Sequence, residues 1–147
     1  MRLVKLNINF GNGNIMNIGK VSKVSGLPIK TIRYYEDMGL INPLRQENGY
    51  RVFDQETLSK LKLLRRSRDL GFSLKECAQL LTLFENPKRA SKHVMNITKS
   101  HLFEIEKTIS ELQIIQGELK KLVGACAADE KSDCSILNDL SDLNTLH

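Results

Sequence analysis

The chain has 147 residues, of which 41% are hydrophobic and 27% are charged. This length allows one compact domain, or a small domain with a long appendage, and excludes a large enzyme with separate cofactor and substrate domains. The apolar content suffices for a modest core and excludes wholesale disorder. Because tryptophan is absent and aromatic residues make up only 5% of the chain, we expect that core to be aliphatic.

The net charge of +5 is concentrated in the N-terminal half of the chain. Residues 16–72 hold 11 basic and 6 acidic side chains, whereas residues 126–147 hold 1 basic and 5 acidic side chains. A basic N-terminal half is compatible with a polyanionic partner.

The N-terminus carries no recognisable targeting segment. No apolar run approaches the ~20 residues that a membrane-spanning helix requires, and the first residues lack the apolar segment of a signal peptide. We therefore expect a cytoplasmic protein. Residues 1–15 contain two glycines and four asparagines without periodicity, which predicts a flexible leader.

Two short helices are predicted next. Asn17 is a suitable N-cap for the first helix and Gly26 is a natural stop. The second helix is predicted from Pro28 to Met38, with its end at Gly39. The apolar residues that recur at helical spacing in these segments are Ile18, Val21, Val24, Ile32 and Tyr35. Two short helices joined by a glycine-containing turn predict a helix-turn-helix.

A β-hairpin is predicted within residues 42–53. The dipeptide Asn48-Gly49 favours a tight turn, and residues suited to strands follow it at Tyr50, Val52 and Phe53. A hairpin directly after a helix-turn-helix indicates a β-wing.

Two further helices are predicted after the wing. Asp54 is a suitable cap for a helix rich in leucine and arginine that stops at Gly71. Ser73 and Glu76 have the spacing of a capping box and start the next helix, which Asn86 ends. The apolar face predicted for that helix consists of Leu74, Cys77, Leu81 and Phe84.

A long helix is predicted from Ser91 to about Gly124. Its heptad core positions are Met95, Thr98, Leu102, Ile105, Ile109, Leu112, Gln116, Leu119 and Val123. A helix of ~33 residues is ~50 Å long, which is too long for its apolar stripe to be covered by the small N-terminal half. The pattern therefore predicts a homodimer, in which Gln116 fixes the register of the seam.

Several polar side chains in the second helix and the wing are candidates for DNA contacts. They are Lys30, Thr31, Arg33, Tyr34, Arg45, Tyr50 and Arg51. Taken singly, each basic side chain could belong to an ordinary solvated face. The succession of a helix-turn-helix, a hairpin and a helix with Arg65, Arg66 and Arg68 nevertheless predicts DNA binding.

Cys126 and Cys134 are candidate metal ligands. An odd number of cysteines argues against a disulfide framework, and seven intervening residues suit neither a zinc knuckle nor a redox dithiol. Two thiolates without a further obvious ligand suit a soft monovalent ion such as Cu(I). The alternative is a pair of cysteines without a ligand in the C-terminal tail. Cys77 lies on an apolar helix face, where a buried structural thiol is expected.

No arrangement of residues points to catalysis. The sequence contains neither a nucleophile and base at a recognisable spacing nor a glycine-rich phosphate loop. We therefore do not expect an enzyme.

Three segments carry a resemblance to a known family. They are NIGKVSKVSGLPIKTIRYYEDMGLI, NGYRVF and LLRRSRDLGFSLKE, in that order. The succession resembles the MerR family of transcription regulators from residue 16 to about residue 140. Within that family, the segments FENPKRAS and GACAADEKSDCSILNDLS are similar to the copper-responsive branch of CueR-type regulators.

The resemblance implies a mainly α fold in three parts after the leader. Residues 16–85 would form a winged helix-turn-helix DNA-binding domain, residues 86–124 a long antiparallel dimerisation coiled-coil helix, and residues 125–147 a C-terminal metal-binding loop and tail. It also implies three partners, namely double-stranded promoter DNA, RNA polymerase at the promoter and a second copy of the chain. In such proteins, metal binding makes the dimer bend and untwist the promoter so that the polymerase can read it.

The resemblance further implies a metal effector and its ligands. The two metal cysteines of the family fall on Cys126 and Cys134, and Ser91 falls where members that bind divalent metals place a third cysteine. A hydroxyl there argues against zinc, lead and mercury. The implied effector is Cu(I), with Ag(I) and Au(I) as surrogates. The alternative is a regulator of the same family that responds to a divalent metal or to thiol oxidation.

Overall fold

The structure is a computed structural model that describes residues 15–126, 130 and 132–142. Six helices and one two-stranded sheet are present in these residues, so the predicted mainly α fold is confirmed. The helices are α1 (Ile18–Ser25), α2 (Ile29–Asp37), α3 (Gln55–Asp69), α4 (Leu74–Glu85), α5 (Ser91–Ala125) and α6 (Ser135–Ser141), and the strands are β1 (Leu44–Arg45) and β2 (Arg51–Val52). The predicted leader lies outside the described residues except for Ile15, which is exposed.

Three of the first four helices begin directly after a residue whose side chain caps them. The side chain of Asn17 accepts a hydrogen bond from the backbone N–H of Lys20, and Asp54 does the same for Thr57. Ser73 and Glu76 form a complete capping box, with bonds of 3.1 and 2.9 Å. These interactions explain why the sequence predicted the starts of α1, α3 and α4.

The chain divides into two compact units, one ending at Ile97 and the other beginning at Thr98. The first unit contains a largely aliphatic core, whose largest fully buried side chains come from helices α1 to α4 and from the segments on either side of the wing. They are Val21, Ile32, Ile41, Phe53, Leu61, Leu64 and Cys77. Ile97 packs against this core, so the first unit includes the beginning of α5. The expected burial of Cys77 is confirmed.

Two apolar residues of predicted helix faces are exposed in this unit. Val24 of α1 is 46% exposed and Phe84 of α4 is 42% exposed. Helical spacing alone does not decide burial here: at the end of α1 the buried residue is Ser25 and not Val24.

The wing is a short antiparallel hairpin. Leu44 pairs with Val52, and Arg45 pairs with Arg51. Five residues lie between the strands, and because the backbone N–H of Gln46 donates to the Tyr50 carbonyl at 2.9 Å, the loop itself is the three residues 47–49. The backbone N–H of Gly49, at φ 82°, donates to the Gln46 carbonyl at 2.9 Å. A glycine in the left-handed region is what such a three-residue loop requires.

The second unit comprises most of α5 together with α6. α5 has 35 residues, and none of its side chains is buried within the single chain. Within the described residues, no helix combines the length and the apolarity needed to cross a membrane.

Candidate nucleic-acid interface and metal site

Helix α2 presents a polar face to solvent. Its apolar side chains Ile32 and Tyr35 are buried, with exposed fractions of 0% and 4%. Because burial fixes the helix in this orientation, the residues between them face outward. Lys30, Arg33 and Tyr34 are exposed, and Thr31 is half-buried. Four of the seven candidate DNA contacts therefore lie on α2, in the same unit as the wing.

A groove of about 800 Å³ lies between residues 15–18 and the wing. Its lining includes Arg33 of α2 together with Asn48, Tyr50 and Arg51 of the wing. Tyr50 is 72% exposed at the hairpin loop. Basic and hydrogen-bonding groups that line an open groove are suited to the sugar-phosphate backbone of a nucleic acid.

The two wing arginines are not free side chains. Arg45 Nη2 contacts Glu36 Oε1 at 3.0 Å, and Arg51 Nε donates to Glu36 Oε2. Glu36 is in the last turn of α2, and its side chain is only 15% exposed. Sequence reasoning missed Glu36, because no local pattern indicates that a carboxylate will meet residues nine and fifteen positions away.

Helix α3 is joined to the helix-turn-helix at the turn. Arg65 Nη1 donates to the Ser25 carbonyl oxygen at 3.0 Å. Gly26 ends α1 with φ 72°, and a Cβ at this position would overlap the guanidinium of Arg65. The glycine therefore allows both the left-handed turn and the close approach of Arg65.

Helix α5 carries an uncovered apolar stripe in its own unit. Among the heptad positions, Leu102, Ile109, Leu112 and Leu119 are 49% to 58% exposed. A shallow cavity of about 430 Å³ lies on this stripe and includes Gln116. An apolar stripe of this length on one helix is typical of a coiled-coil surface.

The structure brings Cys126 and Cys134 together. The Ser135 hydroxyl donates to the Ala125 carbonyl oxygen at 3.0 Å, which joins the start of α6 to the end of α5. The two cysteines are the sequence neighbours of these two bonded residues. Both thiols are free and half-buried. The sequence did not indicate the role of Ser135, because serine is common at helix starts and its presence there does not point to a particular hydrogen bond.

The N-terminus of α6 favours the thiolate of Cys134. The backbone N–H of Leu137 is the main cause that lowers the pKa of the Cys134 thiol, and the N–H of Ile136 and the Cys126 thiol act in the same direction. Cys134 is the N-cap of α6 but makes no cap hydrogen bond through its side chain. These N–H groups therefore act as nearby dipoles, and a lowered pKa favours a metal-binding thiolate.

The thiol pair has no third metal ligand among the described residues. No group of three or more His, Cys, Asp and Glu side chains comes together as a metal site in residues 15–126, 130 and 132–142. Ser91 is the first residue of α5 and is exposed. The loop residues 127–129 and 131 lie outside the described residues.

Comparison with known proteins identifies the family. Residues 16–83 match the family described as MerR HTH family regulatory protein, and residues 58–122 match the family described as MerR, DNA binding. The regulator HmrR of Rhizobium leguminosarum bv. viciae is 52% identical over 127 residues, which cover 86% of this chain and 98% of HmrR. The chain belongs to the MerR family.

Two other MerR-type proteins are similar along almost their entire lengths. The regulator CueR of Salmonella typhimurium is 46% identical over 86% of this chain and 92% of its own. The crystal structure of PbrR691 from Ralstonia metallidurans in complex with lead(II) has a TM-score of 0.76 and 32% identity, over 86% of this chain and 99% of its own. The resemblance seen in the sequence is therefore confirmed.

Membership of the MerR family establishes the general activity. The chain is a DNA-binding transcription regulator, and the prediction that it is not an enzyme is confirmed. The winged helix-turn-helix of the first unit, with its polar α2 face and groove, is the part of a MerR protein suited to promoter DNA.

Proposed function

We propose that the protein is a metal-responsive regulator whose effector is Cu(I), and that it activates copper-efflux genes as a homodimer on promoter DNA. The observation that supports this proposal is the hydrogen bond from Ser135 to the Ala125 carbonyl oxygen, which joins the residues next to Cys134 and Cys126. A pair of thiolates can hold a soft monovalent ion in linear coordination, with Ag(I) and Au(I) as surrogates.

The donor set distinguishes Cu(I) from divalent ions. Zinc normally takes four ligands, and among the described residues no group of three or more His, Cys, Asp and Glu side chains comes together as a metal site. Ser91 offers only a hydroxyl, which binds soft metals poorly. The similarity to CueR and to the copper-responsive branch supports copper, whereas the similarity to PbrR691, solved with lead(II), supports a divalent metal. We place greater weight on the donor set, because it belongs to this chain.

The apolar stripe of α5 supports a homodimer. Seven of its apolar heptad residues are at least 38% exposed in the single chain, and a second copy of α5 presents the same stripe. Packing two such helices as an antiparallel coiled coil would cover both stripes at once. A dimer would place two winged helix-turn-helix units on two half-sites of one promoter.

The proposed mechanism is a shift between two protein states on DNA. Cu(I) bound by Cys126 and Cys134 would favour the state that fits bent and untwisted DNA, at a deformation cost of about 1–6 kcal/mol. Lys30, Thr31, Arg33, Tyr34, Tyr50 and Arg51 would contact the promoter in both states. RNA polymerase would then find both promoter elements in a usable geometry.

The decisive experiment is an anaerobic titration of the reduced protein with Cu(I) against a competing chelator, repeated with Zn(II) and Pb(II). We expect one tightly bound Cu(I) per chain, and feeble binding of the divalent ions. Cys126→Ser and Cys134→Ser should each abolish tight Cu(I) binding, because one thiolate remains. Cys77→Ala is the matched control and should bind as the parent does, since Cys77 is buried in the other unit.

Two results would contradict the proposal. Tight Zn(II) or Pb(II) binding by the parent would reassign the effector to a divalent metal. Promoter activation of the metal-free protein by a thiol oxidant such as diamide, lost in Cys134→Ser, would favour the alternative of a disulfide switch between the two free thiols.

A further inference from the structure

The wing of this protein contains two like charges directly opposite each other. Arg45 in β1 and Arg51 in β2 are register partners in the hairpin. Like charges at opposed positions destabilise a strand pair. A hairpin with two residues in each strand is also only marginally stable by itself. The position of this wing therefore depends on contacts with the rest of the unit.

Two contacts fix the wing. At its base, the backbone groups of Phe53 and Met16 exchange hydrogen bonds of 2.8 and 2.9 Å, and both side chains are buried. On the side of α2, the carboxylate of Glu36 meets Arg45 with one oxygen and Arg51 with the other. One carboxylate thus neutralises the repulsion between the strands and joins both strands to α2.

The two arginines are held in different ways. Arg45 donates through Nη2 to Glu36 and through Nη1 to the Gly49 carbonyl at 3.2 Å, so both of its terminal nitrogens are used within the protein. Arg51 donates to Glu36 through Nε. Arg51 also lines the groove that contains Arg33.

We propose that Glu36 is a positioning residue for DNA recognition: it sets the distance between the face of α2 and the wing by holding Arg45 as an internal brace and aiming Arg51 at a phosphate. This inference rests on the proposed function, since the wing has this role only in a protein bound to DNA. The acidic residue on the recognition helix thus contributes to selectivity without contacting DNA, because a helix and a wing at fixed separation fit one groove geometry best.

Binding to two kinds of duplex tests the proposal. The first is a duplex enriched by the full-length parent from a random library, and the second is a random-sequence duplex of equal length. Affinities are measured by fluorescence anisotropy over a range of salt concentrations. For Glu36→Gln we expect about a tenfold loss of affinity for the enriched duplex, with no loss for the random one, because freed arginines still attract phosphates.

Asp37→Asn is the matched control. It removes the same charge from the next residue of α2, which is exposed. We expect its affinities for the two duplexes to change together, so that their ratio equals that of the parent. If Glu36→Gln also leaves the ratio unchanged, the proposal is overturned.

A second variant tests the role of Arg45 as an internal brace independently of Glu36. It keeps the proposal testable if circular dichroism shows that Glu36→Gln does not fold. Arg45→Gln should lower the affinity ratio and leave the salt dependence on random duplex unchanged. A loss of about one unit in the slope of log affinity against log salt would assign a phosphate contact to Arg45 and would overturn its role as a brace. Arg51→Gln should lower the slope of log affinity against log salt by about one unit, because we propose that Arg51 contacts a phosphate. If the parent enriches no duplex at all, the DNA-binding proposal itself fails, and this outcome is distinct from the others.

Discussion

Gly26 has two structural tasks that only a residue without a Cβ can perform together. Its φ of 72° lies in the left-handed region, and the Arg65 guanidinium occupies the space where a side chain would begin. The hydrogen bond from Arg65 to Ser25 then ties α3 to the turn between α1 and α2. The orientation of α2 relative to α1 and α3 consequently depends on Gly26.

This double task predicts a large effect for Gly26→Ala. The left-handed backbone costs about 1–2 kcal/mol for alanine, and displacement of Arg65 removes a hydrogen bond that contributes about 1 kcal/mol. We expect the free energy of unfolding to fall by about 2–3 kcal/mol, as measured by urea denaturation. Gly39→Ala is the control: Gly39 has φ 75° with open space around it, so only the backbone term applies. Equal losses for the two variants would show that the contact with Arg65 contributes nothing.

At the scale of elements, the sequence predicted the helix starts and turns that depend on interactions between residues close together in the chain. Asn17, Asp54 and Ser73 cap their helices as their residue types indicate, and Gly26 and Gly49 adopt the left-handed conformation that glycine favours. The heptad pattern likewise predicted α5, since a period of 3.5 residues continued over four heptads has no other ready explanation.

Contacts between elements were not predictable in the same way. The carboxylate of Glu36 reaches residues on both strands of the wing, and nothing in the sequence near Glu36 indicates them. Phe84 shows the reverse: its spacing fits the apolar face of α4, but its side chain is 42% exposed. The two cysteines could be selected by their chemistry, whereas the hydrogen bond that closes their loop could not.

That closure leads to a prediction at the level of the loop between α5 and α6. Ser135→Ala removes the bond to the Ala125 carbonyl, so the thiols of Cys126 and Cys134 must be brought together at the expense of loop entropy. A hydrogen bond of about 1 kcal/mol corresponds to about a fivefold loss of Cu(I) affinity in chelator competition. Ser141→Ala removes a comparable serine-to-carbonyl bond inside α6 and should leave the affinity unchanged. Equal affinities of Ser135→Ala and the parent would contradict a role for this closure.

For the whole molecule, the uncovered stripe of α5 predicts its assembly. Leu112→Glu places a charge in the proposed seam, where it would be buried without a partner in a dimer. We expect this variant to be a monomer by sedimentation equilibrium at concentrations where the parent is a dimer. Ile114→Glu makes the same change at a residue that is 68% exposed and lies outside the heptad core, and it should remain dimeric. Dissociation by both variants, or by neither, would place the interface elsewhere.

The same assembly predicts how metal selectivity could be changed. Within one chain the 35 residues of α5 separate Ser91 from Cys126, so only a partner chain running antiparallel could bring its residue 91 to the thiol pair. Ser91→Cys would then add a third thiolate to each site, which suits Zn(II) and Pb(II). We expect their affinities to rise at least about tenfold in the competition titration, because each added thiolate replaces a weak oxygen donor. Ser100→Cys adds a thiol elsewhere on exposed α5 and should change neither affinity. If Ser91→Cys behaves like Ser100→Cys, the partner's α5 does not begin near the thiol pair, and the proposed antiparallel arrangement is contradicted.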